Sequence, residues 1–251
     1  MGRVAALFAA CLAAAYGEAP ANLENNGKPM RVALACQQEL LQPLGLTCSE
    51  DEPCPLYLEL SAIGSTGVRV FVAGNIHTNV LTVSSILLGS ADGGKTWTEA
   101  YERIPYASLE QMQFLGLGNG WISGSVIQTL PRDPFFLLTT DGGKSWKRQP
   151  VFEDSHDGSV EKFSFESATS GTAIVSAEGG KYELLDTMTG GDSWALKQVS
   201  STPLTLGRAA AANAGWRLRT DAKSRSYDVE SREGNGWQRI ASFAVNIGAC
   251  K

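Results

Sequence analysis

From Leu56 onward the chain is built of short apolar stretches, many alternating with polar residues, each bounded by Gly, Asn, Asp or Ser. A period of two between turn residues is the mark of half-buried strands. It predicts four groups of four: Leu56–Ala62, Val68–Gly74, Ile86–Ser90 and Thr96–Ala100; Glu110–Leu117, Gly120–Thr129, Phe135–Thr140 and Ser145–Val151; Val160–Phe165, Thr172–Ala177, Tyr182–Thr187 and Ser193–Val199; Leu204–Ala210, Gly215–Thr220, Ser226–Glu230 and Gly236–Ile240. No long amphipathic helix is predicted. Gln37 to Pro43 makes one or two helical turns at most before the proline ends them.

The groups recur. Trp97, Trp146, Trp194 and Trp237 stand 49, 48 and 43 residues apart, one near the start of each predicted fourth strand. A four-stranded antiparallel unit in tandem cannot bury both faces of its sheet alone, and packing each sheet against its neighbours around a ring solves this. The expected fold class is therefore all-β, a small β-propeller of four four-stranded antiparallel blades. A five-bladed ring, with Pro29 to Cys54 as part of a degenerate blade, is the alternative. Pro29–Ala35 reads as a further strand, expected beside Ala241–Asn246, where it would close the ring from the N-terminal side and remove a free sheet edge.

The first twenty-one residues differ in kind. Arg3 is followed by an alanine-rich apolar run from Val4 to Ala15 and then by small residues, the layout of a secretory signal. The run is too short to span a bilayer as a helix. The expected organisation is a signal peptide over 1–21, an N-terminal strand and disulfide loop over 22–55, and the propeller over 56–251. Lipidation at Cys11 is the minority alternative, with Phe8 where a lipobox usually has Leu. Export, to a periplasmic or extracellular location, follows.

Removing that signal leaves Cys36, Cys48, Cys54 and Cys250, an even count in an exported chain, which reads as two disulfides. Three pairings are open. Cys48 and Cys54 bound a short polar loop that closes on itself, which favours Cys48 with Cys54 and Cys36 with Cys250. No CxxC occurs and the two histidines, His77 and His156, lie in different repeats, so no metal site is expected. The formal charge is −5 and there is no basic run, which sets nucleic acid aside as a partner.

The turn before each of the first two tryptophans is Asp-Gly-Gly. Aspartate accepts backbone N–H bonds in such a turn, and glycine takes the positive φ it needs. Ser90-x-Asp92-x-Gly94-x-Thr96-Trp97 resembles the Asp-box, or bacterial neuraminidase repeat, and Thr139-x-Asp141-x-Gly143-x-Ser145-Trp146 matches it with conservative changes. A third copy ending Gly191-x-Ser193-Trp194 lacks the Asp, and a fourth keeps only Gly234 and Trp237. Asn119-Gly-Trp121 and Gly215-Trp216 also look like the second strand of the photosystem II assembly-factor-like branch of these propellers. The resemblance covers about Leu56 to Val245, and implies that the Asp-box residues are structural and that the loops bind or assemble another protein.

The same superfamily includes sialidases, which grip a carboxylate with an arginine triad. Tyr101-Glu-Arg103-Ile-Pro105 echoes the motif of their first arginine, but it follows an Asp box instead of preceding one and has an extra residue. It reads as a strand end turning into the next unit. His77, His156, Lys95 and Lys144 read as solvated groups, Arg217 and Arg219 as neighbours on one strand face, and no catalytic residue or cofactor is assigned. The expected function is a non-enzymatic scaffold for another exported or membrane protein; the alternative is a carbohydrate-binding or sialidase-like propeller, with a glycan as partner.

Overall fold

A computed structural model describes residues 22–127, 130–206 and 215–251. The predicted signal, 1–21, lies outside the described residues, as do the last two residues of the second unit's second strand and much of the predicted strand Leu204–Ala210. The chain is all-β. In order it forms β1 (Leu23–Glu24), a short helix α1 (Gln38–Leu41) continued by a 3-10 turn (Gln42–Leu44), then β2 (Cys54–Thr66), β3 (Arg69–His77), β4 (Thr82–Ser90) and β5 (Thr96–Glu99). The second unit supplies β6 (Ala107–Leu115), β7 (Asn119–Ile127), β8 (Pro131–Thr139) and β9 (Lys147–Pro150), and the third β10 (Val160–Phe165), β11 (Gly171–Ala177), β12 (Lys181–Thr187) and β13 (Ala195–Ser200). The chain ends in β14 (Trp216–Asp221), β15 (Ser226–Glu233), β16 (Gly236–Ala244) and β17 (Asn246–Cys250).

These strands make four antiparallel sheets, one per predicted unit. The second and third are four-stranded meanders. The fourth shows three described strands, and the first is enlarged to six, ordered β1-β5-β4-β3-β2-β17. The strand expected at Pro29–Ala35 is not formed. Met30 alone makes a parallel bridge to Phe243, through bonds of 2.8 Å with the backbone of Ser242 and Ala244. The physical reason is that β16 ends at Ala244, one residue beyond Phe243, so the segment running past Met30 leaves that strand after a single bridge. The strand that meets the first unit is instead β17, paired with β2 in a register that sets Cys250 opposite Cys54. Disulfides join Cys36 to Cys250 and Cys48 to Cys54.

Three apolar clusters explain why the sheets stack. One joins the fourth sheet (Val229, Ala241, Phe243) to the first (Leu58, Val72, Leu88, Trp97), with Met30 and Val32 of the N-terminal segment sealing it. A second joins the first sheet (Phe71, Leu87) to the second (Leu109, Phe114, Leu137), and a third joins the second (Trp121, Phe136) to the third (Phe163, Phe165, Leu185). The packed series is therefore fourth, first, second, third. Strands inside it, such as β3 and β7, are buried on both faces along most of their length, as expected for a sheet sandwiched between two others.

The two end faces of the series carry polar and charged groups, beside the buried Ile174 on the third sheet. On the third sheet, Thr172 and Asp186 alternate with the core residues Ala173 and Leu185, and Asp186 accepts from Thr172 Oγ1 (3.1 Å) and Lys197 Nζ (2.6 Å). On the fourth, Arg217 and Arg219 alternate with Trp216 and Leu218, and pair with the buried carboxylates Glu230 and Asp228 at 2.6 to 2.9 Å. Among the described residues no apolar cluster joins the third and fourth sheets.

The repeat tryptophans follow this gradient. Trp97 is fully enclosed, edge-on to Phe243 at 5.2 Å between centroids, Trp146 and Trp194 are partly buried, and Trp237 is 37% exposed with Arg217 over its ring at 4.3 Å. Trp237 is thus no enclosed anchor of the kind Trp97 is: among the described residues no sheet covers its ring. Truncating Trp97 to Ala should cost about 3 to 5 kcal/mol. Truncating Trp237 should cost under about 1 kcal/mol, and equal losses in denaturant unfolding would contradict this assignment of the repeat's two ends.

Candidate functional site

The Asp-box residues build tight turns at one end of the sheets. Asp92 Oδ1 accepts from the N–H groups of Lys95 (3.0 Å) and Thr96 (2.9 Å) and from Ser90 Oγ (2.8 Å), while Oδ2 accepts from Thr96 Oγ1 (2.7 Å). Ser90 Oγ in turn accepts the Gly94 N–H, and Trp97 Nε1 donates to the Gly94 carbonyl at 3.1 Å. Asp141 repeats the set: it accepts from Lys144 and Ser145 N–H, Thr139 Oγ1 and Ser145 Oγ, with Gly143 N–H on Thr139. The carboxylates are consumed by their own turns, so neither is free to take part in chemistry.

The third turn keeps this shape with one oxygen fewer. Thr189 Oγ1 replaces the carboxylate, accepting the Ser193 N–H at 2.9 Å, and Gly191 N–H still reaches Thr187 Oγ1 at 3.1 Å. The turn between β15 and β16 has no box at all; Glu233 pairs directly with Gly236 around a two-residue loop.

Each intact turn is also a contact. Gly143 has a φ of 76° and lies so close to Phe71 of the first sheet that a Cβ would overlap the ring. Gly94, at a φ of 92°, lies against Ile240 of the fourth sheet in the same way. Asn25 Nδ2 bridges this last junction, donating to the carbonyls of Gly94 (2.9 Å) and Ile240 (2.6 Å). In the third unit Trp121 of the second sheet donates to the Gly190 carbonyl at 2.8 Å. Every box therefore seats its sheet on the one before it. Among the described residues nothing lies against Gly234 in this way.

The opposite end carries a cleft of about 560 Å³ between the second and third sheets. One wall is Arg132 at the start of β8 with the connection Ser155–Asp157; the other is the turn Ala177–Gly179 with Lys181 and Glu183 of β12. Asp133, at a φ of 48°, pins the connection to β8: its Oδ1 accepts from Ser155 Oγ (2.8 Å) and His156 N–H (3.0 Å), and its N–H donates to the His156 carbonyl at 2.6 Å. Burial opposes the charge on Asp133, but the bonds from Ser155, His156 and Arg132 outweigh it and hold the carboxyl below its ordinary range. His156 is not the solvated side chain its loop suggested. Its ring stacks on Phe152 at 3.8 Å, and Nε2 lies 3.7 Å from Glu183. A smaller hollow of about 240 Å³ adjoins through Ser155, with Phe135, Pro150 and Phe152 as an apolar lining and Arg148 over the Phe135 ring at 4.2 Å.

Other candidate residues are drawn elsewhere. Arg103 pairs with both Glu99 carboxylate oxygens (3.2 and 2.5 Å) and donates to the Ala33 carbonyl at 2.6 Å, so the arginine of the sialidase-like echo clips the N-terminal segment to the first sheet. His77 bonds the neighbouring Thr78 carbonyl. Lys95 and Lys144 stand exposed on their turns. Among the described residues no three histidine, cysteine or carboxylate groups converge as metal ligands. The cleft escaped sequence reasoning because its residues come from a strand start, an irregular connection and a hairpin tip; only Asp133-Pro134 and Ser155-His156-Asp157 marked the spot.

The Asp92 turn has a pH signature. Its carboxyl lies at about 2 instead of 3.8, chiefly through the Thr96 N–H and hydroxyl bonds and despite desolvation. A depressed carboxyl stabilises the fold above its unfolded value and loses that contribution as pH falls through the folded one. Stability should therefore drop between about pH 4 and about pH 2, and Asp92→Asn should remove part of that drop; an unchanged pH profile in the variant would contradict the bonding described.

No protein-family model matches the chain, and no curated protein matches it. Among solved structures it is similar to YCF48 bound to D1 peptide, with 18% identity and a TM-score of 0.44 over 74% of this chain and 56% of that one. It is also similar to YCF48 from Cyanidioschyzon merolae, with 15% identity and a TM-score of 0.28 over 78% of this chain and 72% of that one. The chain thus spans little more than half the length of the first of these.

Proposed function

We propose that the chain is an exported, non-enzymatic β-propeller whose loop-end groove binds a segment of another exported or membrane protein. The four sheets would be its blades, with the N-terminal segment and β17 closing the ring, and residues 1–21 would be its signal. Two disulfides fit an oxidising compartment, and no helix of the described residues is long and apolar enough to cross a membrane.

The observation that carries the reading is the groove itself. The cleft between the second and third sheets is lined by charges of both signs, and the hollow beside it, on the second sheet and the connection that leaves it, sets Phe135, Phe152, Pro134 and Pro150 among Asp133, Arg148, Glu153 and Asp154. Apolar anchors beside paired charges suit a polypeptide, whose backbone and side chains present both. The walls are strands and pinned connections, so little ordering is needed on binding. A sugar platform finds less support, because Trp97 is enclosed and the ring of Trp237 lies under Arg217.

The test is capture of crosslinked partners from the native exported fraction with the mature protein, compared with Arg132→Glu/Lys181→Glu. The wild type should enrich a defined protein, and the double variant should recover it at least about tenfold less. Equal recovery by both, or binding to a glycan array with no protein captured, would overturn the reading.

A further inference from the structure

The two disulfides meet on one strand pair. β17 pairs with β2 in a register that sets Cys250 directly opposite Cys54, and each of these residues is bonded to a different partner, Cys250 to Cys36 and Cys54 to Cys48. Residues directly opposite on antiparallel strands point to the same face, with Cα atoms about 4.5 to 5.5 Å apart. That is the span a disulfide bridges, and it includes the 5.4 Å between the Cα atoms of each bond in place. Cys48 and Cys54 also pack against the apolar cluster to which Cys250 belongs. The backbone therefore accommodates a second pairing, Cys54 with Cys250.

The four cysteines differ in their surroundings. Cys250 is fully enclosed, Cys48 and Cys54 are partly buried, and Cys36 stands exposed in the N-terminal segment. A thiolate attacks a disulfide at the sulfur it can reach and expels the other sulfur as the leaving group. At the Cys36–Cys250 bond, attack on Cys36 leaves a thiolate on Cys250, in apolar surroundings that disfavour the charge. The sulfur of Cys54, across the strand pair, lies within reach of that nucleophile.

We propose that the four cysteines form a two-disulfide relay that exchanges with a dithiol reductant. One thiolate of the dithiol attacks Cys36 Sγ, forming a mixed disulfide and releasing Cys250 as a thiolate. Cys250 attacks Cys54 Sγ, forming the Cys54–Cys250 bond and releasing Cys48, which takes up a proton. The second thiol of the reductant gives up its proton, attacks its own mixed disulfide and frees Cys36, which is protonated in turn. The dithiol has then lost two electrons and two protons, and the protein holds them as the thiols of Cys36 and Cys48.

The product keeps its bond on the enclosed sulfur and places both thiols on residues nearer the surface. Its loop is nearly as long as the 214-residue separation of Cys36 and Cys250, so most of that bond's constraint on the unfolded chain is retained. The exchange releases the N-terminal segment from the chain end, while β17 becomes covalently fixed to β2. The relay is separate from the loop-end groove, and its test needs no native partner and no variant. The wild-type protein is treated with substoichiometric dithiothreitol, quenched with acid, alkylated with N-ethylmaleimide and mapped as non-reduced peptides by mass spectrometry. Among molecules that have lost one disulfide, most should carry Cys54 joined to Cys250, with Cys36 and Cys48 alkylated. If most carry any other single bond, or if no singly reduced protein forms, the proposal is overturned.

Discussion

The seating of a glycine turn on the neighbouring sheet is the contact on which the architecture depends. In the first two boxes an aspartate satisfies its turn's N–H groups, two glycines take the backbone through positive φ, and the second glycine lets the turn lie flat on a side chain of the preceding sheet. Trp97 then fills the same junction with its ring. The box is therefore both a local device, which fixes a hairpin, and a tertiary one, which fixes the angle between two sheets. A Cβ at the second glycine would overlap the neighbouring side chain, so the close contact requires that residue type.

The decay of the box along the chain explains the shape of the packed series. Losing the aspartate at Thr189 removes one acceptor and leaves the turn and its contact with Trp121 in place. Losing the whole motif before Trp237 leaves a two-residue loop whose Gly234 lies against none of the described residues. The faces on either side of this junction carry charges beside the apolar Ile174 and Leu184, and those charges are satisfied within each sheet: Arg217 and Arg219 by Glu230 and Asp228, Lys197 by Asp186. Desolvating such groups against another sheet would cost more than it returns. The N-terminal segment and the Cys36–Cys250 disulfide reinforce the opposite side of the series, where the fourth sheet meets the first.

Most of the strands were legible in the sequence because their limits are set locally, by period-two alternation and by Asp-Gly-Gly turns that need no tertiary help. What was not legible depends on contacts between distant residues. β17 is short, and Asn246-Ile-Gly-Ala-Cys250 does not alternate clearly; it is a strand because the edge of β2 is available. Met30 was read as part of a strand, yet makes one bridge because β16 stops beside it. Spacing marks Trp237 as an anchor, and only its exposure and the Arg217 guanidinium over its ring show otherwise. The cleft at Asp133 and His156 depends on how adjoining sheets meet, which no repeat pattern describes.

Hydrogen exchange followed by mass spectrometry tests most directly the claim that the boxes hold the sheets together. Backbone stability is lowest where few apolar contacts cover a strand. The account predicts that β13 and β14, edge strands of the third and fourth sheets among the described residues, exchange first, and that β3, β4, β7 and β8, between seated turns, exchange last. Protection spread evenly over all four sheets, or β14 as slow as β7, would contradict it.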